Sequence, residues 1–425
     1  MKGNGAKILF GFFKTGLSVF AAVMVFAVLF MGSSNSMAAG KIKLGMSAAF
    51  TGPSGGLGVE LYRGSMAYFT HLNLNDGING KPVLIITRDD KYHPDPAIQN
   101  TIDFMHRSDV KCLFNYVGTP TVTRVLPLLS GYDGEKEILF FPFTGAEPQR
   151  QGPYRRHVFN LRASYQQELT GLVNHFVKLG LRRVAVFYQA DAYGRSGWSG
   201  VRNALSAHGL FMVGEATYRR DSGVDDCMEE QVAILQRAKP DVVVCIGSYA
   251  ACAAFIRDAR NMNLDVPIAN VSFVGSENMV SLLLREGERF GQDYTRDLVN
   301  SQVVPSYEDV DLPAVREYRH LMDTIPVPLP LGLDGDYHSL RYSFAGFEGF
   351  LNAKVMTAIL RKLEAEPSLG LMGVAESLAG VDIGIGTPVS FTRDDHQGLK
   401  RVYFTTVRDG KSVPMTEEQW ETWRK

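Results

Sequence analysis

Short apolar runs alternate with helix-periodic segments along most of this 425-residue chain, and this alternation constrains the fold more than any other feature. The clearest strand-like runs lie at residues 82–87, 112–116, 137–141, 183–188 and 241–246. Segments with apolar residues at spacings of three and four, which are typical of amphipathic helices, lie between them. Strands that alternate with helices favour parallel sheets covered by helices on both faces. Because the alternation occurs twice, the sequence predicts an α/β fold with two doubly wound lobes.

The stretch LGMSAAFTGPSGGLGVELYR at residues 44–63 starts as a strand, breaks into a Gly-rich turn around Ser54 and enters a helix. The start of a helix presents unpaired backbone N–H groups that suit a carboxylate or a phosphate. The turn lacks the Gly-Lys-Ser/Thr end of a P-loop and the G-x-G-x-x-G spacing of dinucleotide sites. The sequence does not decide which anion binds, and a tight connection that binds nothing is the alternative.

Two later turns place threonines at strand ends. Thr119 precedes Pro120, a pattern that predicts a helix N-cap followed by proline at the first helical position. Thr144 and Glu147 form T-x-x-E, which predicts a capping box. Plain capping explains either threonine alone. In open parallel sheets, however, ligands bind at the carboxyl edge of the strands, so three such turns in succession predict a site.

The second α/β unit has strand ends of its own, marked by Tyr193, Tyr249 and Glu277. A tyrosine after a strand is more often a packed surface aromatic than a ligand contact. Two tyrosines and a glutamate at corresponding ends nevertheless favour a contribution of this unit to the site.

Residues 1–38 have the features of a secretion signal. Three lysines precede an apolar run at residues 17–31, and a small-residue cleavage site ends at Ala38. The run is shorter than the roughly 18–20 residues that a membrane helix needs. We expect cleavage after Ala38, with an uncleaved anchor as the alternative. Removing the lysines changes the formal net charge from −1 to −4, which argues against a nucleic-acid partner.

The chain lacks the sequence marks of metal sites and of common enzymes. Its four cysteines form no CxxC pair and have no accompanying histidine cluster, so we expect no metal and no cofactor. Whether Cys245 pairs with Cys252 stays open. No Ser-His-Asp order, G-x-S-x-G elbow or nucleotide fingerprint is present, so we expect no catalytic residues and no enzyme.

Eight segments, in order along most of the mature chain, carry a resemblance to a known family. They read KIKLGMSAAFTGPSGGLG, INGKPVLIITRDDKYHPDPAIQNT, NYVGTPT, FFPFTGAE, HVFNLRASYQQE, RRVAVFYQADAYGRSG, FAGFEGFLNAKV and IGTPVSFTRDDHQG. Together they resemble the periplasmic solute-binding proteins of branched-chain amino acid type ABC transporters, the leucine/isoleucine/valine-binding class.

The resemblance implies a type I periplasmic binding fold, in which two Rossmann-like lobes are joined by three crossing segments and close over a ligand. The crossings are expected near residues 161–162, 302–303 and 384–386. The first lobe is expected at residues 40–161 plus 303–384, and the second at residues 162–302 plus 385–425.

The resemblance also implies roles for individual residues. The turns at Ser54 and at Gly118-Thr119 resemble those that hold the ligand carboxylate through hydroxyl and N–H groups. Tyr193 and Tyr249 match the aromatic positions of the second lobe.

The ligand's amino group is implied to meet a second set of residues. The stretch Phe143-Thr144-Gly145 resembles the one that offers a carbonyl and a hydroxyl to the α-amino group, and Glu277 matches the acid that pairs with the ammonium. The chain departs from the family at Leu57, where an aromatic residue is common, and this weakens any transfer of leucine specificity.

The function that the resemblance implies is periplasmic capture of a small amino acid or related carboxylate and its delivery to the membrane permease of an ABC transporter. A periplasmic receptor of the same fold that signals to a membrane partner is the alternative. The identity of the ligand stays open.

Overall fold

The structure is a computed structural model that describes residues 40–131, 134–330, 333 and 337–425. The expected signal segment and its cleavage after Ala38 lie outside these residues and stay predictions. Among the described helices, none has both the length and the apolar character needed to cross a membrane.

Two separate sheets confirm the predicted α/β fold with two lobes. The first sheet contains β1 (Ile42–Ala48), β2 (Val83–Asp89), β3 (Cys112–Phe114), β4 (Leu139–Phe140) and β5 (Val158–Phe159). All five strands are parallel, in the order β2-β1-β3-β4-β5.

The second sheet has seven strands, of which five are parallel. The strands are β6 (Val184–Gln189), β7 (Gly214–Tyr218), β8 (Val242–Ile246), β9 (Ile268–Asn270), β10 (Leu298–Gln302), β11 (Tyr403–Arg408) and β12 (Lys411–Pro414). Their order is β12-β11-β10-β9-β8-β6-β7, and the last two strands in sequence pair antiparallel at one edge.

Twelve α-helices lie in the described part of the chain. They are α1 (Gly55–Leu74), α2 (Pro94–His106), α3 (Thr119–Ser130), α4 (Tyr165–Lys178), α5 (Ala192–Ser206), α6 (Glu229–Arg237), α7 (Tyr249–Asn261), α8 (Ser276–Phe290), α9 (Pro313–Thr324), α10 (Phe344–Ala365), α11 (Gly370–Glu376) and α12 (Glu417–Glu421).

Helices cover both faces of each sheet, as the alternation predicted. In β8, Val242, Val244 and Ile246 join the largest apolar cluster, which also contains residues of α1, α4 and α10. Val243 and Cys245 point to the opposite face and join a cluster with α6, α7 and α8. Side chains alternate between the two faces of a strand, so a strand buried on both faces must be apolar throughout.

The chain passes between the lobes more than once. After β10 of the second sheet, α9 and α10 return to pack on the first lobe, where the rings of Tyr68 in α1 and Phe350 in α10 lie 5.4 Å apart. The chain then ends in the β11–β12 pair of the second sheet. This course is compatible with three crossings, and the residue boundaries of the lobes stay a prediction.

The structure decides two points of local structure near the chain's end and at its cysteines. Residues 386–391 form no regular strand and contribute only an isolated bridge between Val381 and Val389. All four cysteines are free, so Cys245 and Cys252 do not pair.

Glycines allow α1 and α10 to approach at backbone distance. A Cβ atom on Gly64 would overlap the carbonyl oxygen of Gly346, and one on Gly349 would overlap the carbonyl oxygen of Leu61. Neither obstacle is a flexible side chain, so the two helices would have to move apart to admit a methyl group.

We therefore expect Gly64→Ala to lower the free energy of unfolding by about 1–3 kcal/mol or more, measured by urea denaturation of the mature chain. Gly373→Ala is the matched control. A Cβ there meets Leu369 at an ordinary 3.4 Å, and alanine is the better helix former, so this change should be neutral or stabilising. Equal effects of the two substitutions would contradict the close-packing argument.

Candidate functional site

The predicted site residues lie at the carboxyl ends of parallel strands, where helices begin. Helix α3 starts five residues after β3 ends, and α5, α7 and α8 follow the ends of β6, β8 and β9. Backbone N–H groups at these helix starts have no partner within their own helix. The edges of both sheets thus present hydrogen-bond donors toward the space between the lobes.

The hydroxyls of Thr119 and Thr144 form the polar centre of the site. Their Oγ1 atoms lie 2.7 Å apart, and the hydroxyl of Tyr165 lies 3.4 Å from Thr119 Oγ1. Both threonines are buried. A hydroxyl can donate and accept, so this cluster can bind a carboxylate oxygen when its hydrogens turn toward the ligand.

The capping roles expected for the two threonines are wrong. The N-cap of α3 is Gly118, and Thr119 is the first helical residue. Thr144 Oγ1 accepts a 3.3 Å hydrogen bond from Ala146 N, but Glu147 leads into a short 3-10 turn rather than an α-helix. Without a following α-helix there is no capping box, and the Thr144 hydroxyl is free to meet Thr119.

Gly118 and Gly145 are required by their surroundings. Gly118 has φ of 109°, and a Cβ atom there would overlap the ring of Tyr92. A Cβ atom on Gly145 would lie 2.6 Å from the ring of Tyr165. These two glycines bring the backbone of the first lobe against the aromatic rings that surround the hydroxyls.

Aromatic rings from both lobes enclose the hydroxyl cluster. Phe273, which follows β9, lies 4.7 Å from Tyr193, 5.5 Å from Phe143 and 5.9 Å from Tyr92, measured between ring centroids. Tyr193 also lies 5.4 Å from Tyr165. All five rings are buried. The walls of the site are thus apolar and its polar groups converge from one side, a combination typical of small-molecule pockets.

Tyr249 connects the second lobe to the turn that follows Ser54. The backbone N–H of Gly56 donates to the Tyr249 hydroxyl at 3.1 Å. Ser54 is buried and precedes α1, but its side chain makes no capping hydrogen bond. The backbone of this turn therefore faces Tyr249.

Glu277 contacts a different part of the first lobe. Its Oε2 accepts a 3.3 Å hydrogen bond from Phe344 N at the start of α10, whereas its buried Oε1 has no hydrogen-bond partner among the described residues. Burial, opposed by hydrogen bonding to the carboxylate, raises the pKa of Glu277 to about 7. The structure thus joins Gly118, Thr119, Phe143, Thr144, Gly145 and Tyr193 in one cluster, while Glu277 binds the N-terminus of α10.

Sequence reasoning missed three residues of this cluster, Arg162, Tyr165 and Phe273. The guanidinium carbon of Arg162 lies 4.5 Å from the centroid of the Phe143 ring. Tyr165 follows Ser164, the N-cap of α4, which forms a capping box with Gln167. The local sequence there indicates a helix start and not a ring in the site. An arginine at an expected crossing between lobes was the one signal that could have indicated Arg162.

Open space adjoins the hydroxyl cluster. A cavity of about 410 Å³ lies between α3, the turn after β4 and α5, with Thr119 and Ala146 on one wall and Ala192 and Arg195 on the other. Pockets for small ligands have volumes of about 300–1,000 Å³. This side of the site can therefore admit a small molecule to Thr119.

A family model described as "Periplasmic binding protein" matches residues 41–412 of the chain. No curated protein sequence matches.

Solved structures of periplasmic binding proteins are also similar to this chain over most of its length. A protein from Rhodopirellula baltica SH 1, titled a possible leucine/isoleucine/valine-binding protein, is 29% identical over 92% of this chain and 99% of its own, with a TM-score of 0.79. A substrate-binding periplasmic protein from Ralstonia solanacearum is 25% identical over 88% of this chain and 100% of its own, with a TM-score of 0.75. A Thermus thermophilus structure titled a branched-chain amino acid ABC transporter with bound valine shares the fold at 18% identity, over 89% of this chain and 97% of its own, with a TM-score of 0.75.

The raised pKa of Glu277 predicts a pH-dependent stability. Because the folded state holds the proton more tightly than the unfolded state, the stabilisation by protonated Glu277 is complete below about pH 4.5 and is lost as the pH rises to about 7. Glutamine mimics the protonated form. We expect Glu277→Gln to gain stability over the native chain between pH 4.5 and 7, by up to about 3 kcal/mol, and the difference to level off above pH 7.

The measurement is urea denaturation of both proteins from pH 4.5 to 8.5. Glu288→Gln, on the exposed face of the same helix, is the control and should follow the native chain at every pH. A constant offset between Glu277→Gln and the native chain would show that burial does not raise this pKa.

Proposed function

Since the chain belongs to the periplasmic binding protein family, we propose that it captures a small amino acid or related carboxylate between its two lobes and delivers it to the membrane permease of an ABC transporter. The family consists of extracytoplasmic binding proteins, so we expect no turnover of the ligand. The Rhodopirellula protein, described as a possible leucine/isoleucine/valine-binding protein, and the Thermus structure, which holds valine, support this class of ligand.

One observation carries the proposal, namely the Thr119–Thr144 hydroxyl pair at the N-terminus of α3, enclosed by rings from both lobes. The helix N-terminus favours an anion, and the hydroxyls add directional hydrogen bonds. The apolar walls exclude water, which strengthens each of these interactions. A carboxylate attached to an apolar body is the small molecule that matches both parts of the site.

A screen of amino acids and carboxylates by native mass spectrometry and thermal shift tests this function. A ligand at a hundredfold excess over its Kd stabilises the folded state by about 2.7 kcal/mol, so a true ligand should raise Tm. Thr119→Ala should weaken binding of the hit about tenfold, since it removes one hydrogen bond to a charged group. Thr324→Ala, exposed near the end of α9, is the control and should bind normally. Absence of any hit would contradict the proposal.

Closure of the lobes is the second testable part. Tyr249→Phe removes the acceptor of the Gly56 N–H and leaves the ring in place, so it weakens a contact between the lobes and favours separation. We expect the affinity for the hit to fall several-fold and the ligand-induced decrease in radius of gyration, measured by small-angle scattering, to become smaller. Tyr188→Phe, on the half-buried Tyr188 of β6, should change neither. A native affinity in Tyr249→Phe would remove this contact from the closing mechanism.

A further inference from the structure

Arg162 is a buried cation with unused hydrogen-bond capacity. Its side chain is only 1% exposed. Nη2 donates to Ser272 Oγ, whereas Nε and Nη1 have no hydrogen-bond partner in the part of the chain that the structure describes. A guanidinium carries five N–H donors, and an unpaired donor on a buried charged group is more costly than one on a neutral group. These free donors call for an acceptor that the described chain does not supply.

Two carboxylates near Arg162 leave these donors unused. Glu168 Oε1 lies 3.9 Å from Nη2 and already accepts a hydrogen bond from Ser272 Oγ at 3.0 Å. Its Oε2 accepts from Ser272 N at 2.8 Å and from Ser301 Oγ at 2.6 Å. Glu348 lies 3.6 Å from Nε, which is too long for a hydrogen bond. Burial raises the pKa of Glu348 to about 7, against the opposing charge of Arg162. The neutral form of Glu348 is therefore readily available, and it leaves the positive charge of Arg162 less well balanced.

The guanidinium lies beside the hydroxyl cluster. It sits over the ring of Phe143. Burial lowers the pKa of Arg162, but the charges of Glu348 and Glu168 outweigh it and raise the pKa overall. Tyr165 and Tyr193 add smaller contributions in the same direction. The Tyr165 hydroxyl in turn lies 3.4 Å from Thr119 Oγ1. Cationic, hydroxyl and helix N-terminal donors thus meet in one apolar enclosure.

We propose that Arg162 binds the carboxylate of the ligand through its free N–H groups, and that the site takes an apolar monocarboxylic acid that needs no α-amino group. This inference rests on the proposed function and narrows its ligand class. Arginine suits the role because its planar guanidinium matches the geometry of a carboxylate and stacks on aromatic rings. The rings of Phe143, Tyr193 and Phe273 contact an apolar body.

An ammonium group has no comparable partner in this enclosure. Glu277 contacts the start of α10 rather than the hydroxyl cluster, where its Oε2 accepts from Phe344 N and its Oε1 has no hydrogen-bond partner among the described residues. Glu168 is occupied by serine donors. Glu348 is the remaining carboxylate that could pair with an ammonium, and a bound anion would favour its neutral, protonated form. The charges that favour a carboxylate here therefore disfavour an ammonium.

Binding of an anion should accordingly be coupled to a proton on Glu348. The charged groups that face Glu348 are Arg162, Glu168 and Arg150. A ligand carboxylate beside Arg162 adds a negative charge, so the complex favours protonated Glu348. Above pH 7 the affinity should then fall by up to about tenfold per pH unit, and Glu348→Gln should remove this fall.

The test uses two matched series of probes on the mature protein in isothermal titration calorimetry. One series is L-leucine, 4-methylpentanoate and 3-methylbutylamine, and the other is L-phenylalanine, 3-phenylpropanoate and 2-phenylethylamine. We expect an acid without an amine to bind at least as tightly as its amino acid, and neither amine to bind. Arg162→Lys keeps the positive charge but loses the planar guanidinium group, so it should weaken binding of the acids about 10- to 100-fold. Arg341→Lys, a surface change, should bind normally.

The possible results separate the inference from the function on which it rests. Amino acids that bind while both deaminated acids fail would overturn the inference and keep the binding function. If Arg162→Lys binds the acids as tightly as the native protein does, the inference is likewise overturned and the binding function is kept. If Arg162→Lys does not fold, the pH profile decides, since an affinity independent of pH from 7 to 9 contradicts the coupled charges at Arg162 and Glu348. If none of the six probes binds, the Arg162→Lys and pH measurements are made with a carboxylate found in the wider screen. If that screen finds only a ligand without a carboxylate, the inference is overturned. No hit at all would remove the proposed function together with the inference.

Discussion

The burial of Arg162 between the lobes is the constraint on which the junction of the two sheets depends. Its guanidinium meets Glu168 from α4 of the second lobe and Glu348 from α10 on the first lobe, and it donates to Ser272 after β9. A buried ion pair contributes little net stability, but removal of one partner leaves an uncompensated charge that costs several kcal/mol. The three elements are therefore held in one geometry around a single charge.

The architecture could be predicted because central strands such as β6 and β8 are buried on both faces, and helices such as α4 and α6 on one. This places continuous apolar runs such as residues 242–246 next to amphipathic segments, a pattern that the sequence displays directly. The contact of Gly64 with Gly346 could not be predicted, since α1 and α10 lie about 280 residues apart in the chain. Residues 386–391 have an apolar alternation like that of a strand, but only an isolated bridge pairs there.

The site could be predicted only in part, for a related reason. Strand ends and helix starts are local features, so the sequence indicates Thr119, Thr144 and Tyr193 as residues of the carboxyl edges. What each side chain contacts is set by distant elements. The hydroxyls of Thr119 and Thr144 bond to each other across two turns, and Glu277 bonds to the start of α10. The roles of these residues depend on pairings between turns, which a single sequence does not encode as a local pattern.

Two polar contacts between the lobes outside the Arg162 cluster are individually weak, and under the proposed function they bear on how the protein responds to its ligand. The Gly56–Tyr249 hydrogen bond contributes about 1 kcal/mol, and the pair of His93 and Asp221, 3.3 Å apart and largely exposed, contributes about 0–1 kcal/mol. Under the proposed function, contacts of this strength allow a ligand that touches both lobes to shift the balance between open and closed forms. A molecule shifts that balance only through its differential affinity for the two forms. Groups that it can reach from both lobes at once, such as Thr119 from one and Tyr193 from the other, therefore set its effect on closure.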